Sequence, residues 1–291
     1  MLEILSVISP VFICALIGFG WMKQGHAFDT LFISRLVTNV GAPCLIFSTF
    51  MEIDLDLAAF STMATAAFVS IVVFGLVGFG VLKASGLSQQ TFLPSQMFPN
   101  VGNMGLPLCL LAFGEEGLVL GLTYFMVSSV FGFTLGMAIS SGTLSFRELL
   151  KNPMFYAVLI TLGFLFGGFE APAWLYNTTK LLGGLTIPLM LIALGVSLAQ
   201  FRVSSLGRSV ALSVMRLLLG FGVAVLLADI MELDGVARGI LIMQCSMPVA
   251  VFSYLFALRY KRQPEEVAGT VVISTLLSFL SLPLLLWYVL P

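Results

Sequence analysis

Pro94-Ser95-Gln96-Met97-Phe98-Pro99-Asn100-Val101-Gly102-Asn103-Met104-Gly105-Leu106-Pro107 stands in an apolar part of the chain and cannot wind as one regular helix. Pro99 and Pro107 each lack a backbone donor and press on the carbonyl one turn back. Gly102 and Gly105 each cost about 1 kcal/mol in a helix interior. Unwound backbone at membrane depth survives only where protein or a watery cavity satisfies it. Asn100 and Asn103 are therefore expected to line such a cavity. Pro107 suits the first position of a new half-helix, whose free N–H groups and positive dipole end would point at the midplane.

That this break lies at membrane depth follows from composition. Hydrophobic residues make up 59% of the chain, charged residues only 9%, and the mean hydropathy is +1.09; soluble domains are about 25% charged. One crossing of the hydrocarbon core takes about 20 apolar residues, so the 291 residues hold about ten spans and no soluble domain. Hydropathy and breaker residues place them near 4–22, 32–50, 58–82, 91–113, 117–139, 154–169, 178–199, 205–228, 236–258 and 267–290. The first stretch follows Glu3, with no basic flank and no small-residue cleavage site, and reads as a retained helix. A net charge of −1 and a pI near 5.8 leave no basic face for nucleic acid. Cys14, Cys44, Cys109 and Cys245 all fall in apolar segments without a CxxC pair and read as small core residues.

Basic residues sort to alternate connections. Lys23 and Arg35, Lys83, Arg147 and Lys151, Arg202 and Arg208, then Arg259, Lys261 and Arg262 mark one side. The other side holds only Lys180 and Arg238 among Glu52, Asp54, Asp56, Glu115, Glu116, Glu170, Asp229, Glu232 and Asp234. The positive-inside rule then puts both termini outside the cell. Pro10, Pro43 and Pro107 keep nearly the spacing of Pro153, Pro188 and Pro248. Two copies of an odd number of spans insert in opposite senses, so the expected architecture is an all-α membrane protein of two inverted five-helix repeats, 1–145 and 146–291, with broken, crossing fourth and ninth helices.

The ninth span repeats the break in Gln244-Cys245-Ser246-Met247-Pro248, with Pro248 read as opening its second half-helix. Two half-helix N-termini meeting near the midplane form a place for an anion. Arg216 is the charge most deeply set in any span, by default a functional hypothesis, pairing either with an anion or with helix carbonyls. Arg35, one turn inside the second span, can reach the interface instead. The expected substrate residues are Asn100, Asn103, Gln244, Ser246 and Arg216. Gly102, Gly105, Pro107 and Pro248 form the crossover, and Asn39 with Pro43 and Thr186 with Pro188 are matched kinks that shape the gap between moving parts or simply bond neighbouring helices. Gly117 with Gly121, Gly132 with Gly136, and Gly163 with Gly167 read as packing pairs.

Signals for an enzyme are lacking: His26 is the single histidine, and no HExxH, P-loop or GxSxG motif occurs. No cofactor or metal is expected.

In Asn100-Val101-Gly102-Asn103-Met104-Gly105-Leu106-Pro107-Leu108, in Gln244-Cys245-Ser246-Met247-Pro248 with Phe256-Ala257-Leu258-Arg259-Tyr260, and in Arg216-Leu217-Leu218, the chain resembles the auxin efflux carrier family. The resemblance spans nearly the whole chain. It implies ten helices in the manner of bile-acid-type sodium symporters and alternating-access carriage of small mono- or dicarboxylates. It also implies a crossover domain moving against a dimer-forming scaffold in a bacterial plasma membrane, with Asn100 as the amide that meets substrate. Proton or sodium coupling would be open. The connection near 140–152 is too short for the regulatory loop of the plant members, and the third span lacks the acidic residue they carry. The competing readings are a sodium-coupled organic-anion symporter and a membrane sensor that binds without transporting.

With the native cysteines removed, a single cysteine in the Arg147 connection should resist an impermeant thiol reagent applied outside, and one in the Glu52–Asp56 connection should react. The opposite pattern reverses the orientation.

Overall fold

The structure, a computed structural model, describes residues 2–52, 57–143, 150 and 153–290. Asp54, Asp56, Arg147 and Lys151, used above for orientation, lie outside the described residues. Among the described residues, seven helices are long and apolar enough to cross a membrane. One of them, Val101–Ser141, holds two spans, because the chain turns at Gly114 with φ 64° and ψ −152°, a backbone state that glycine alone enters freely. Glu115 and Glu116 follow at once, at the start of the fifth span, where the positive end of a helix favours acids. The sixth span, Pro153–Gly167, and the ninth, in the two pieces Gly235–Cys245 and Val251–Arg259, bring the total to about ten. The chain is an all-α integral membrane protein.

Three interruptions of the spans fall where a proline ring would clash with the carbonyl four residues back. Pro43 stands four residues after Asn39, and Val37–Gly41 is a widened, π-helical turn. Pro107 stands four after Asn103, and Val101–Gly105 is widened in the same way. Pro188 stands four after Gly184, where the seventh span is interrupted between Ala173–Gly184 and Thr186–Gln200. The wider turn moves the crowded carbonyl off the ring at the expense of regular hydrogen bonding. The bends of the second span, Thr30–Glu52, and the seventh meet: a Cβ on Gly41 would stand 2.5 Å from Thr186 Oγ1.

Two groups of helices result. The first span, Leu2–Lys23, packs along the seventh, and the second packs against the sixth and seventh. The third span, Leu57–Ala84, the eighth, Leu206–Ile230, and the tenth, Pro264–Val289, surround the broken fourth and ninth together with the fifth. The first and seventh spans touch backbone to backbone, for a Cβ on Gly18 would fall on the carbonyl of Ile192, and one on Gly195 on the carbonyl of Ala15. Of the glycine pairs expected to pack, Gly117 and Gly121 lie against Cys109, and Gly132 and Gly136 against Phe252 and Phe98. Among the described residues, Gly163 has no atom within 4 Å of a Cβ position and Gly167 meets only Phe169, just beyond its own helix, so that pair makes no contact with another span.

Gly195→Val should lower the melting temperature in detergent, because overpacking a filled contact costs about 1–3 kcal/mol. Gly20→Val, on the first span but with nothing within 4 Å, should leave it unchanged; equal losses would show that the loss comes from the helix and not from the contact.

Candidate functional site

Residues 98–100 and 248–250 lie outside the helices and run antiparallel where the fourth and ninth spans cross, with Pro99 bridged to Val249. The Asn100 N–H donates to Pro248 O at 2.7 Å, and the Ala250 N–H donates to Phe98 O at 3.2 Å. Each break thus supplies hydrogen-bond partners that the other lost when its helix unwound, which is what backbone at this depth requires. The second half-helices start at Val101 and Val251, capped by Asn100 and Ala250. Two expectations are corrected here. Pro107 does not open a half-helix, because the chain has already broken at Pro99; it follows the π-helical turn inside a continuing helix. Pro248 lies within the break, three residues before the next half-helix starts at Val251 and opposite Asn100, and not at the head of that half-helix.

A cavity of about 410 Å³ begins at this crossing and extends between the two helix groups to Arg35 and Arg259. Asn100, Gly102 and Asn103 from the first turn of one half-helix line it, as do Val251 and Phe252 from the first turn of the other. First-turn N–H groups have no intrahelical acceptor, and each N-terminus carries about half a positive charge. Asn100 is 4% exposed; its carbonyl accepts from Gly105 N–H at 3.1 Å, while its Nδ2 has no hydrogen-bond partner. The second span adds Thr38 and Asn39, the fifth adds Ser129 and Phe125, and the seventh adds Met190. No aspartate or glutamate lines the cavity among the described residues.

Of the residues expected to meet substrate, the structure brings Asn100 and Asn103 together on the cavity and leaves three elsewhere. Gln244 is fully buried; its Nε2 donates to Gly121 O at 3.2 Å, and a Cβ on Gly105 would fall on its carboxamide. It fills the seam between the fourth, fifth and ninth spans. Ser246 lies in the break and does not line the cavity. Arg216 is also fully buried off the cavity, donating to Gln96 O and Cys245 O at 2.5 Å each. Asn39 lines the cavity, and Pro43 and Pro188 do not.

Arg259 lines the cavity, although in the sequence it marks topology and the family run from Phe256 to Tyr260 and is not among the expected substrate residues. A signal existed: Phe252, Phe256 and Arg259 are four and three residues apart, one face of a half-helix. Arg35, expected to reach the interface, stands at the end of the cavity remote from the crossing.

The chain matches, over residues 4–143 and 137–286, the family described as membrane transport protein. It belongs to this family, that of the auxin efflux carriers. Two archaeal relatives are uncharacterized transporters. One, from Methanocaldococcus jannaschii, is 23% identical over 309 residues and covers 98% of this chain and 99% of its own. The other, from Methanothermobacter thermautotrophicus, is 27% identical over 266 residues, 88% of either chain. The family and both relatives mark a transporter.

Gly105→Ala should displace the Gln244 carboxamide and destabilise the crossing by about 1–3 kcal/mol. A thermal melt should show the loss, and Gln244→Ala in the same chain should relieve part of it, since the two positions share one space.

Proposed function

We propose that this transporter carries a small organic anion, a mono- or dicarboxylate, by alternating access around the crossover cavity. The reading rests on one observation above others. A buried amide donor, Asn100 Nδ2, stands without a partner at the edge of a cavity lined by two arginines and, among the described residues, by no acid. An anion entering there would meet Asn100, Asn103 and two half-helix N-termini at one end, and Arg35 and Arg259 at the other. A cation would meet like charge at both. On the orientation given by the basic connections, this cavity faces the cytoplasm, and 1–145 and 146–291 are the inverted copies whose breaks meet in it.

Asn100→Ala should weaken carboxylate binding about ten- to a hundredfold, the worth of one hydrogen bond to a charged group, about 1.5–3 kcal/mol. Asn100→Asp is nearly isosteric and sets a negative charge against the substrate, so uptake into proteoliposomes should fall at least as far. Carboxylate uptake by Asn100→Asp equal to that of the parent, at a pH where aspartate is ionised, would refute an anion site at the crossing.

A further inference from the structure

Arg216 heads the largest side chains that are fully buried, and no carboxylate pairs with it among the described residues. Its guanidinium lies 4.2 Å from the centroid of the Phe74 ring, in cation–π range. Beside it runs a neutral chain in which Ser70 Oγ meets Tyr124 Oη at 2.8 Å and Tyr124 Oη meets Cys245 Sγ at 3.3 Å. Its bonds go to two carbonyls, and these two are matched.

Gln96 is one residue short of the end of Gln89–Met97, the first half-helix of the fourth span, and Cys245 ends the first half-helix of the ninth. In an unbroken helix, their carbonyls would accept the N–H four residues on, from Asn100 and Val249. The Asn100 N–H is committed to Pro248 O, and the Val249 N–H to Ser274 Oγ at 3.1 Å. A tightened last turn would use the N–H three residues on. Those positions are Pro99 and Pro248, which have none. The crossing therefore strands both carbonyls inside protein, each at the end of a half-helix carrying about half a negative charge. Two such ends call for about one positive charge. One guanidinium, with donors on both Nη atoms, supplies it.

The eighth span is shaped for this contact. Leu212 O, one turn before Arg216, accepts from Gln96 Nε2 at 3.3 Å. One turn after it, a Cβ on Gly220 would fall on the Cys245 carbonyl and within 2.9 Å of Arg216 Nη2.

Transporters with broken helices place a sodium ion at unwound carbonyls and half-helix C-terminal ends. We propose that Arg216 is a tethered cation occupying that place, so that the crossover assembles and operates without a bound monovalent metal ion. Arg216 is thus a positioning residue that holds the two half-helices end to end, and not a ligand of the anion. Its role in assembly stands apart from the transport reading; only its consequence for uptake rests on that reading.

The test compares melting temperatures and carboxylate uptake in sodium chloride and in N-methyl-D-glucamine chloride of equal ionic strength. The parent protein should melt at the same temperature in both and take up carboxylate equally. Arg216→Ala should melt lower by about 5–10 °C, the expected range for emptying a buried charge site. Millimolar guanidinium chloride, far below denaturing concentrations, should restore part of the loss. Arg216→Lys should keep more stability than Arg216→Met, which has similar length and no charge. A parent melting temperature raised by sodium, uptake that requires sodium, or an Arg216→Met variant as stable as the lysine variant would overturn the proposal. If no carboxylate is taken up in either salt, the transport reading fails while the melting comparison still decides the role of Arg216. If none of the variants folds, the parent in the two salts decides it.

Discussion

A peptide group stranded in the bilayer core has no water to bond, and each one left unmatched costs several kcal/mol. The fourth and ninth spans incur that cost in the same place, and the rest of the protein is arranged around its settlement. The non-helical residues at the two breaks pair as a short antiparallel bridge, Asn100 N–H to Pro248 O and Ala250 N–H to Phe98 O. Pairing settles the middle of each break and leaves the ends. At one side of the crossing, Arg216 takes the leftover carbonyls of Gln96 and Cys245. At the other, the first turns at Val101 and Val251 face a cavity. Donors left over at helix starts and acceptors left over at helix ends thus lie on opposite sides of one bridge.

This division explains why the buried arginine and the cavity are separate. A guanidinium placed among helix N-termini would meet their positive ends, whereas among C-termini it neutralises negative ones. The cavity is left with the Asn100 amide, two N-termini and the exposed side chains of Arg35 and Arg259. Its floor and walls belong to different helix groups. The crossing comes from the group containing the fourth and ninth spans, while Thr38, Asn39 and Met190 come from the bent second and seventh spans. Any relative shift of the two groups therefore changes the cavity without breaking the bridge.

The membrane, the span count and the two breaks were legible in the sequence because each rests on local rules. Apolar runs of span length, prolines and glycines inside them, and alternating basic connections constrain the chain residue by residue. The positions of Asn100 and Asn103 on a cavity followed in the same way, from backbone that had to be unwound. The family was legible as well, in the runs from Asn100 to Leu108 and from Gln244 to Pro248.

The tertiary structure decided which polar residues face the cavity and which close the protein. Along the chain Gln244 and Ser246 are polar groups at a break, as Asn100 is, and Arg216 is a charge deep in a span, so all of them look equally ready to meet substrate. Only the folded chain shows Gln244 wedged against Gly105 and Gly121, and Arg216 turned to carbonyls from two other spans, 120 and 29 residues away in sequence. Arg259 joins the site for the converse reason: it ends a half-helix whose other end happens to be the crossing. The number of breaks is set by local sterics, which the sequence carries. The partner that satisfies each broken group is set by what lies across the crossing, and that is decided only when the two halves meet.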